Sequence, residues 1–533
     1  MAQSISNNRD TDLVTTGSNK RTGKVYLVGA GPGDPGLLTL RGKYLLERAK
    51  IVVYDYLANK KFLNYAPDDA EFIYAGKKGN GLHAFTQEEI NQLLVKHAKN
   101  GANVVRLKGG DPFIFGRGAE EIEELVKENI PFEVVPGVTS ATAAATYAGI
   151  PITHRAYTAS VAFITGHEDP TKKQSNIHWD KLATGAGTLV IFMGIKNLPI
   201  ITKKLIENGR DPKTPVAVVR WASTPAQRSV VGTLETITDV VREKGIKPPA
   251  LIVVGDVVSL RSTLDWFEKR SLFGKNIVVT RTRQQASELV ALLEENGAQC
   301  LEYSTIAIEP VEDYSVLDCE IKQIATYDWL LFTSLNAVTY FFKRLSALGL
   351  DSRNLGGPKV GVVGAATADE LKQYGISADL IPEIFTAEGL ADSLTKEGMN
   401  GKKVLIPRAV KAREILPDKL RLAEAEVVIA PTYQNVVPKD RGEELREQLT
   451  EKAIDMVTFT SSSTVDNFIS MLNTNSPEEL NKLLAGVEIA AIGPITAATV
   501  EKHGLRPTIK PERFTINDMV NSIVDHYTKP PAE

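Results

Sequence analysis

The sequence predicts an α/β protein built from several mostly parallel sheets, and three observations carry that prediction. Short apolar runs recur along the whole chain, and many end in Gly, Ser, Thr or a charged residue, as buried strands do where an open sheet meets a ligand crevice. The first of these runs feeds a glycine-rich turn and then a helix start. The second half repeats its own strand pattern at an offset of 127 residues, the mark of two similar lobes.

The glycine turn is Gly29-Ala30-Gly31-Pro32-Gly33-Asp34-Pro35-Gly36, set between Val25-Tyr26-Leu27-Val28 and the helix start Leu37 to Lys43. Strand, glycine turn and helix bring bare backbone close to a ligand. A dinucleotide fingerprint fails in register, because the third glycine falls due at position 34, where Asp34 stands. Pro32 and Pro35 fix φ and remove two N–H groups that a phosphate cradle would use. The turn suits a neutral or cationic ligand better than a pyrophosphate; an ordinary tight turn is the other reading.

Ile51-Val52-Val53-Tyr54 reads as a buried parallel strand ending in Asp55, an acid at the ligand-binding edge or else a cap. Phe72-Ile73-Tyr74-Ala75-Gly76 leads to Lys77 and Lys78. Val104 to Lys108 is a third strand and runs into Gly109-Gly110-Asp111-Pro112-Phe113-Ile114-Phe115-Gly116-Arg117-Gly118. A fourth, Val134-Val135, precedes Pro136-Gly137-Val138-Thr139-Ser140 and a small-residue helix from Ala141 to Ala148. A second α/β layer follows from about Thr139 to Trp266, with strands at Val161–Thr165, Thr188–Met193, Val216–Val219 and Ala250–Val254. His154 and His167 are catalytic candidates or caps, and Met193 is core filler or a binding residue.

Apolar content of 43%, charge of 24% and a net charge of −3 describe a soluble globular protein without a nucleic-acid bias. Two cysteines, Cys300 and Cys319, form neither a disulfide framework nor a zinc pattern, so a reduced, cytoplasmic setting is expected, with no metal. No apolar run approaches the ~18 residues that span a membrane. Residues 1–22 are polar and read as a disordered tail.

GAGPGDPGLLTL, VVYD, AGK, RLKGGDPFIFGRG, VPGVTSA, TGH, FMG and PPALIVVG occur in this order. Together they resemble the uroporphyrinogen-III C-methyltransferases of the tetrapyrrole methylase family over residues 24 to about 268. The resemblance implies two α/β domains forming a cleft, a homodimer, and S-adenosylmethionine as methyl donor, leaving as S-adenosylhomocysteine. It puts the donor against Pro32, Gly109, Gly110, Asp111, Ile114, Thr139, Ser140, Met193 and Ala222, a base at Asp55 and an acid at Lys77. Methyl transfer to a pyrrole carbon is an in-line displacement that depends on positioning, and one proton must leave the macrocycle. Arg106, Lys108, Arg117 and Arg155 are expected to supply positive potential for a carboxylate-rich substrate.

Ser259 to Gly274 carries mixed charge and ends the first half. Beyond it, Ile277-Val278-Val279-Thr280-Arg281 is echoed by Val404-Leu405-Ile406-Pro407-Arg408, and Asp328 to Ser334 by Asp455 to Ser461. Val360 to Gly364 is echoed by Ile489 to Gly493. Each copy alternates strand and helix, so two parallel-sheet lobes with a crevice between them are expected. This half lacks a Ser-His-Asp set, a metal cluster and a P-loop; its loops offer hydroxyls and N–H groups at Thr333-Ser334, Thr367, Thr460-Ser461-Ser462-Ser463 and Thr496. That inventory suits a binder, or an enzyme that shapes a reactive substrate.

Thr333-Ser334-x-Asn336-Ala337-Val338, Val363-Gly364-x-x-Thr367, Pro431-Thr432-Tyr433 and Phe459-Thr460-Ser461-Ser462 resemble uroporphyrinogen-III synthase over about 275 to 528. The resemblance implies dehydration and ring closure of hydroxymethylbilane with inversion of ring D, and no cofactor. It makes Tyr433 and Thr367 the polar active-site side chains, Tyr433 being either a helper for departure of the hydroxyl or structural. Thr333, Ser334, Thr460 and Ser461 are expected at the substrate. The expected layout is a methyltransferase over 23–268, with subdomains of about 23–136 and 139–268. A 269–274 linker leads to a synthase over 275–528, with lobe one at 275–308 plus 438–528 and lobe two at 311–435. The expected fold is thus a two-domain tetrapyrrole methylase followed by a two-lobed parallel-sheet synthase. Its expected product is precorrin-2; an active methyltransferase fused to a non-catalytic two-lobed binding module is the alternative.

Overall fold

The structure, a computed structural model, describes residues 22–67, 69–76, 85–167, 176–280, 283–438 and 441–529. Residues 1–21 of the expected tail, and Lys77, lie outside them. Two compact units divide the chain. The first runs to Lys275 and takes in Glu295–Gln299; the second holds Asn276–Glu294 and the chain from Cys300 onward.

The first unit opens with β1 (Val25–Gly29), β2 (Ile51–Tyr54), β3 (Glu71–Tyr74), β4 (Val104–Lys108) and β5 (Phe132–Val135). They form an all-parallel sheet in the order β3-β2-β4-β1-β5. Both faces are covered. Val25, Leu27, Val53 and Val104 pack into one core, and Val28, Val52, Val105 and Leu107 into the other. Burial on both faces is why the inner strands β1 and β2 read as unbroken apolar runs. The expected helix start at Leu37 closes the 3₁₀ turn Pro35–Leu37, and the helix proper is Leu40–Leu46, whose start Thr39 fixes by accepting from the Gly42 N–H.

Next come β6 (Val161–Thr165), β7 (Thr188–Phe192), β8 (Pro215–Arg220), β9 (Arg228–Thr233) and β10 (Ala250–Val254), ordered β6-β7-β10-β8-β9. This sheet is mixed: β10 inserts antiparallel between β7 and β8, and β9 pairs antiparallel on the edge. β9 goes unread in the sequence because Arg-Ser-Val-Val-Gly-Thr is a half-exposed edge strand without an apolar run. The helix Ser140–Tyr147 presses Ala141, Ala144 and Ala145 against Val190, Ala217 and Val253 of this sheet. Leu272, inside the expected linker, is fully buried.

The second unit holds β11 (Asn276–Val279), β12 (Gln299–Glu302), β13 (Ala307–Pro310), β14 (Trp329–Phe332), β15 (Lys359–Val362), β16 (Lys403–Ala409), β17 (Glu426–Val436), β18 (Met456–Phe459) and β19 (Glu488–Ala491). One sheet runs β12-β11-β18-β19 and the other β13-β17-β16-β14-β15. The repeat pairs β11 with β16, β18 with β14 and β19 with β15, so the two sheets share one strand order. β13 is the addition, antiparallel to the end of β17.

The likeness extends to side-chain detail. Asp328 accepts from the Lys403 N–H at 2.8 Å, and Asp455 accepts from the Asn276 N–H at 2.8 Å. Ser334 caps the helix Leu335–Ala347, and Ser461 caps Ser462–Leu472. Isolated parallel bridges join Gly361 to Leu380 and Ala490 to Ile509. No helix among the described residues is long and apolar enough to cross a membrane.

Candidate active sites

In the first sheet the chain leaves β1 for β2 across β4, and leaves β4 for β5 across β1. The loops after the adjacent strands β1 and β4 therefore depart in opposite directions. That is the switch point at which open α/β sheets bind ligands. The two glycine loops meet there: the Gly31 N–H donates to the Gly110 carbonyl at 3.2 Å, and the Gly110 N–H donates to the Gly31 carbonyl at 2.7 Å. The loop after β5 joins them. A Cβ on Gly137 would lie 2.3 Å from the Gly110 oxygen, and one on Gly29 would lie 2.5 Å from the Gly137 nitrogen. Only glycine permits this approach.

Asp111 ties the junction: one oxygen accepts from the Gly137 N–H at 3.0 Å, the other from the Phe113 N–H at 2.8 Å. Pro32, Gly109, Ile114, Thr139 and Ser140 are all half-buried around these loops, with Thr139 at the N-cap of Ser140–Tyr147. Met193 follows β7 at φ +54° and is exposed. Ala222 is buried in the core of the second sheet, so only its backbone is offered. Phe115, Arg117, Met193, Trp221 and Ser223 all hold positive φ. Strain of this kind gathers where a site is built.

Asp34, read in the sequence only as a missing glycine, ties the turn down. Its side chain accepts from Tyr147 at 2.6 Å and from the Gly36 N–H at 2.8 Å, while its own N–H donates to Ser223 at 3.2 Å. Tyr147 also packs against Trp266 and Phe267.

Asp55 ends β2, accepts from the Leu57 N–H at 3.1 Å and faces Arg106 at 3.5 Å. Arg106 and Lys108 require a correction. They are 3% and 4% exposed, and both meet Glu121, which is fully buried. A cation enclosed between sheet and helix is not presented to substrate carboxylates; these two hold β4 to the helix Gly118–Lys127. Burial and the neighbouring Arg106 charge push the Lys108 ammonium below its ordinary value, with Glu121 opposing. Arg117 is exposed and pairs in a fork with Glu120, which its hydrogen bond holds below the usual carboxylate range. The sequence did carry a signal for Glu121: Gly118, Glu121 and Leu125 share the buried face of their helix.

In the second unit the Tyr433 hydroxyl lies 3.1 Å from the Ser334 hydroxyl, and Tyr433 is buried at 7% exposure. Its ring meets Tyr340, whose hydroxyl donates to the Ile308 carbonyl at 2.8 Å. Ser334 and Ser461 spend their oxygens as caps, accepting from the Ala337 and Thr464 N–H groups. The Thr460 hydroxyl is buried without a partner among the described residues, and Thr333 is half-buried beside Ser334. Thr367 is buried in the first turn of Ala365–Lys372, and Thr496 in that of Pro494–Lys502. Among the described residues no group of three or more His, Cys, Asp or Glu is placed to hold a metal.

Residues 24–238 match the family described as Tetrapyrrole (Corrin/Porphyrin) Methylases, and residues 287–521 match Uroporphyrinogen-III synthase HemD. The chain is 39% identical over 503 residues to the porphyrin biosynthesis protein HemD of Ruminiclostridium josui, covering 94% of this chain and 98% of that one. It is 54% identical over 237 residues to the uroporphyrinogen-III C-methyltransferase of Priestia megaterium, 44% of this chain and 99% of that one. Among solved structures, the uroporphyrin III C-methyl transferase from Thermus thermophilus is 41% identical with a TM-score of 0.38, covering 45% of this chain and 94% of that one.

Fold and sequence together define a bifunctional enzyme of tetrapyrrole biosynthesis. The chain belongs to the family of its full-length relative, carrying a tetrapyrrole methylase followed by a uroporphyrinogen-III synthase.

Proposed function

We propose that the second unit closes hydroxymethylbilane to uroporphyrinogen III with ring D inverted. The first unit then methylates that product twice to precorrin-2, the methyltransferase occupying 23–268 and the synthase 275–528. The glycine junction at the β1/β4 switch point carries the methyltransferase reading. It is a cradle that any Cβ would fill, on a proline-stiffened turn free of lysine and arginine between residues 29 and 36. That environment fits a sulfonium cofactor rather than a phosphate one. S-adenosylmethionine, when bound, supplies an electrophilic methyl group. Pro32, Gly109, Gly110, Asp111, Ile114, Thr139, Ser140 and Met193 would hold it, with Ala222 contributing backbone alone. Asp55 takes the proton released from the macrocycle, and Lys77 serves as the acid.

In the synthase Thr367 provides a polar side chain, Tyr433 either aids departure of the hydroxyl or braces the crevice, and the helix-capping loops at Thr333-Ser334 and Thr460-Ser461 supply backbone N–H groups. The chain acts on small-molecule tetrapyrroles in the cytoplasm, as a homodimer through its methyltransferase half. Incubating the purified protein with hydroxymethylbilane, with and without S-adenosylmethionine, tests this. Uroporphyrinogen III without the donor and precorrin-2 with it are expected; isomer I alone, or no dependence on the donor, refutes it.

A further inference from the structure

Each lobe carries Pro-Glu-x-Phe-Thr, at Pro382 to Thr386 and at Pro511 to Thr515. In both copies the proline is buried and the next four residues are exposed. The threonine closing each motif caps a helix, Ala387–Lys396 or Ile516–Thr528. The phenylalanines do not join a core: Phe385 is 59% exposed and Phe514 60%.

Each ring nonetheless has a fixed seat. A Cβ on Gly364 would lie 3.4 Å from Phe385, and one on Gly493 would lie 3.3 Å from Phe514. These glycines are the N-caps of Ala365–Lys372 and Pro494–Lys502 and give their helices no side-chain cap. Each ring thus stands at the carboxyl end of its sheet, over the first turn holding Thr367 or Thr496. Both threonines are more than nine-tenths buried.

A ring that only covered a glycine would gain by being buried, and one exposed aromatic needs no explanation. Two at equivalent positions, each above a buried threonine in the first turn of a helix without a side-chain cap, form an apolar face with polar groups at its foot. A pyrrole bearing carboxylate side chains has the complementary chemistry.

We propose that Phe385 and Phe514 are specificity-determining contacts, one per lobe, each holding a pyrrole ring of the open-chain tetrapyrrole over the uncapped helix beneath it. The proposal rests on the synthase reading of this unit. Two stations on separate lobes fix the relative placement of distant parts of one flexible chain, as closure with inversion requires.

The test uses the full-length protein with hydroxymethylbilane as probe, comparing wild type with Phe385→Ala, Phe514→Ala, the double variant and the two Phe→Leu variants. Each alanine variant should raise KM by about 3- to 10-fold, the range of an aromatic contact. The double variant should raise it by roughly the product, about 10- to 100-fold, with more isomer I released and Tm unchanged because both rings are exposed. Leucine should restore Tm in any alanine variant that loses it, without restoring KM. Unchanged KM and isomer ratio in the double variant, with wild type still making uroporphyrinogen III, overturn the proposal and leave these rings to a protein partner. A wild type that closes no bilane overturns the synthase reading, and the proposal with it.

Discussion

The Tyr147 hydroxyl donates a 2.6 Å hydrogen bond to Asp34 and so fastens the glycine turn after β1 to the helix packed on the second sheet. Burial, reinforced by the Asp34 charge, raises the phenol far above its ordinary value, so it remains a donor at any working pH. Tyr147→Phe keeps the ring against Trp266 and Phe267 and removes only this tie. A hydrogen bond to a charged group is worth about 1.5–3 kcal/mol. The expected outcome is a loss of S-adenosylmethionine affinity of about 10-fold, together with a lower Tm, read by calorimetry. Full affinity in the variant would show that the turn holds its shape unaided.

Asp55 is held by one backbone N–H and by Arg106 at 3.5 Å, and remains partly exposed. Asp55→Ala should leave donor affinity within about two-fold of wild type while lowering methyl transfer by a factor of ~10²–10⁴, the usual cost of a lost general base. Titration calorimetry and single-turnover methylation separate the two quantities. An unchanged turnover number returns Asp55 to capping its own turn.

Glu121 is fully buried between two cations. Removing one member of such a set leaves uncompensated buried charge, which costs about 3–5 kcal/mol. Glu121→Ala should therefore unfold the first unit well before the second in denaturant. A variant whose first unit melts with wild type would mean that Arg106 and Lys108 find other partners.

The same residues mark where the sequence stops being legible. Strands β1 and β2 are readable because parallel strands buried on both faces are apolar throughout, and β1 and β4 run straight into glycine. Arg106 and Lys108 break that pattern two apart, on one face of β4, and basic residues at a strand end resemble an anion site. Their true partner lies 13 residues from Lys108 on a helix rich in glutamates, where only Glu121 faces inward. Distance along the chain hid Asp34 as well, since Tyr147 and Ser223 come from far downstream. In the second unit the repeat was visible because both copies keep their strands and caps. β13 was not, since it has no counterpart in the other sheet.

Asp328 pins the start of β16: it accepts from Lys402 at 2.9 Å and from the Lys403 N–H at 2.8 Å. The Lys402 bond, then the backbone bond, hold its carboxyl below the ordinary value. A carboxylate depressed in the folded state stabilises it above the unfolded pKa of about 4, and that stability is lost as pH falls through the folded value. The second unit should accordingly lose Tm between about pH 5 and 3. Asp328→Asn should have a lower Tm at pH 7 and a shallower acid dependence. Exposure of the pair keeps the effect small, so the slope of Tm against pH is the quantity to compare.

Tyr433 and Ser334 share a 3.1 Å contact, and Ser334 is already committed as the cap of Leu335–Ala347. Tyr433 is 7% exposed, packed against Tyr340 at the antiparallel join of β13 and β17. Two roles predict different pairs of results. If the hydroxyl aids departure of water from the bilane, Tyr433→Phe slows closure by about 10²-fold or more, while Ser334→Ala, which leaves the phenol in place, slows it far less. If the hydroxyl only braces the join, both variants lose about 1 kcal/mol of stability, and both change turnover by less than a few-fold. The burial and the contact with a capping serine favour bracing, so the second pattern is expected. In either case the isomer should remain III, because inversion depends on how two lobes hold the bilane and not on one hydroxyl. Chromatographic separation of isomers I and III, with initial rates for both variants, decides between them.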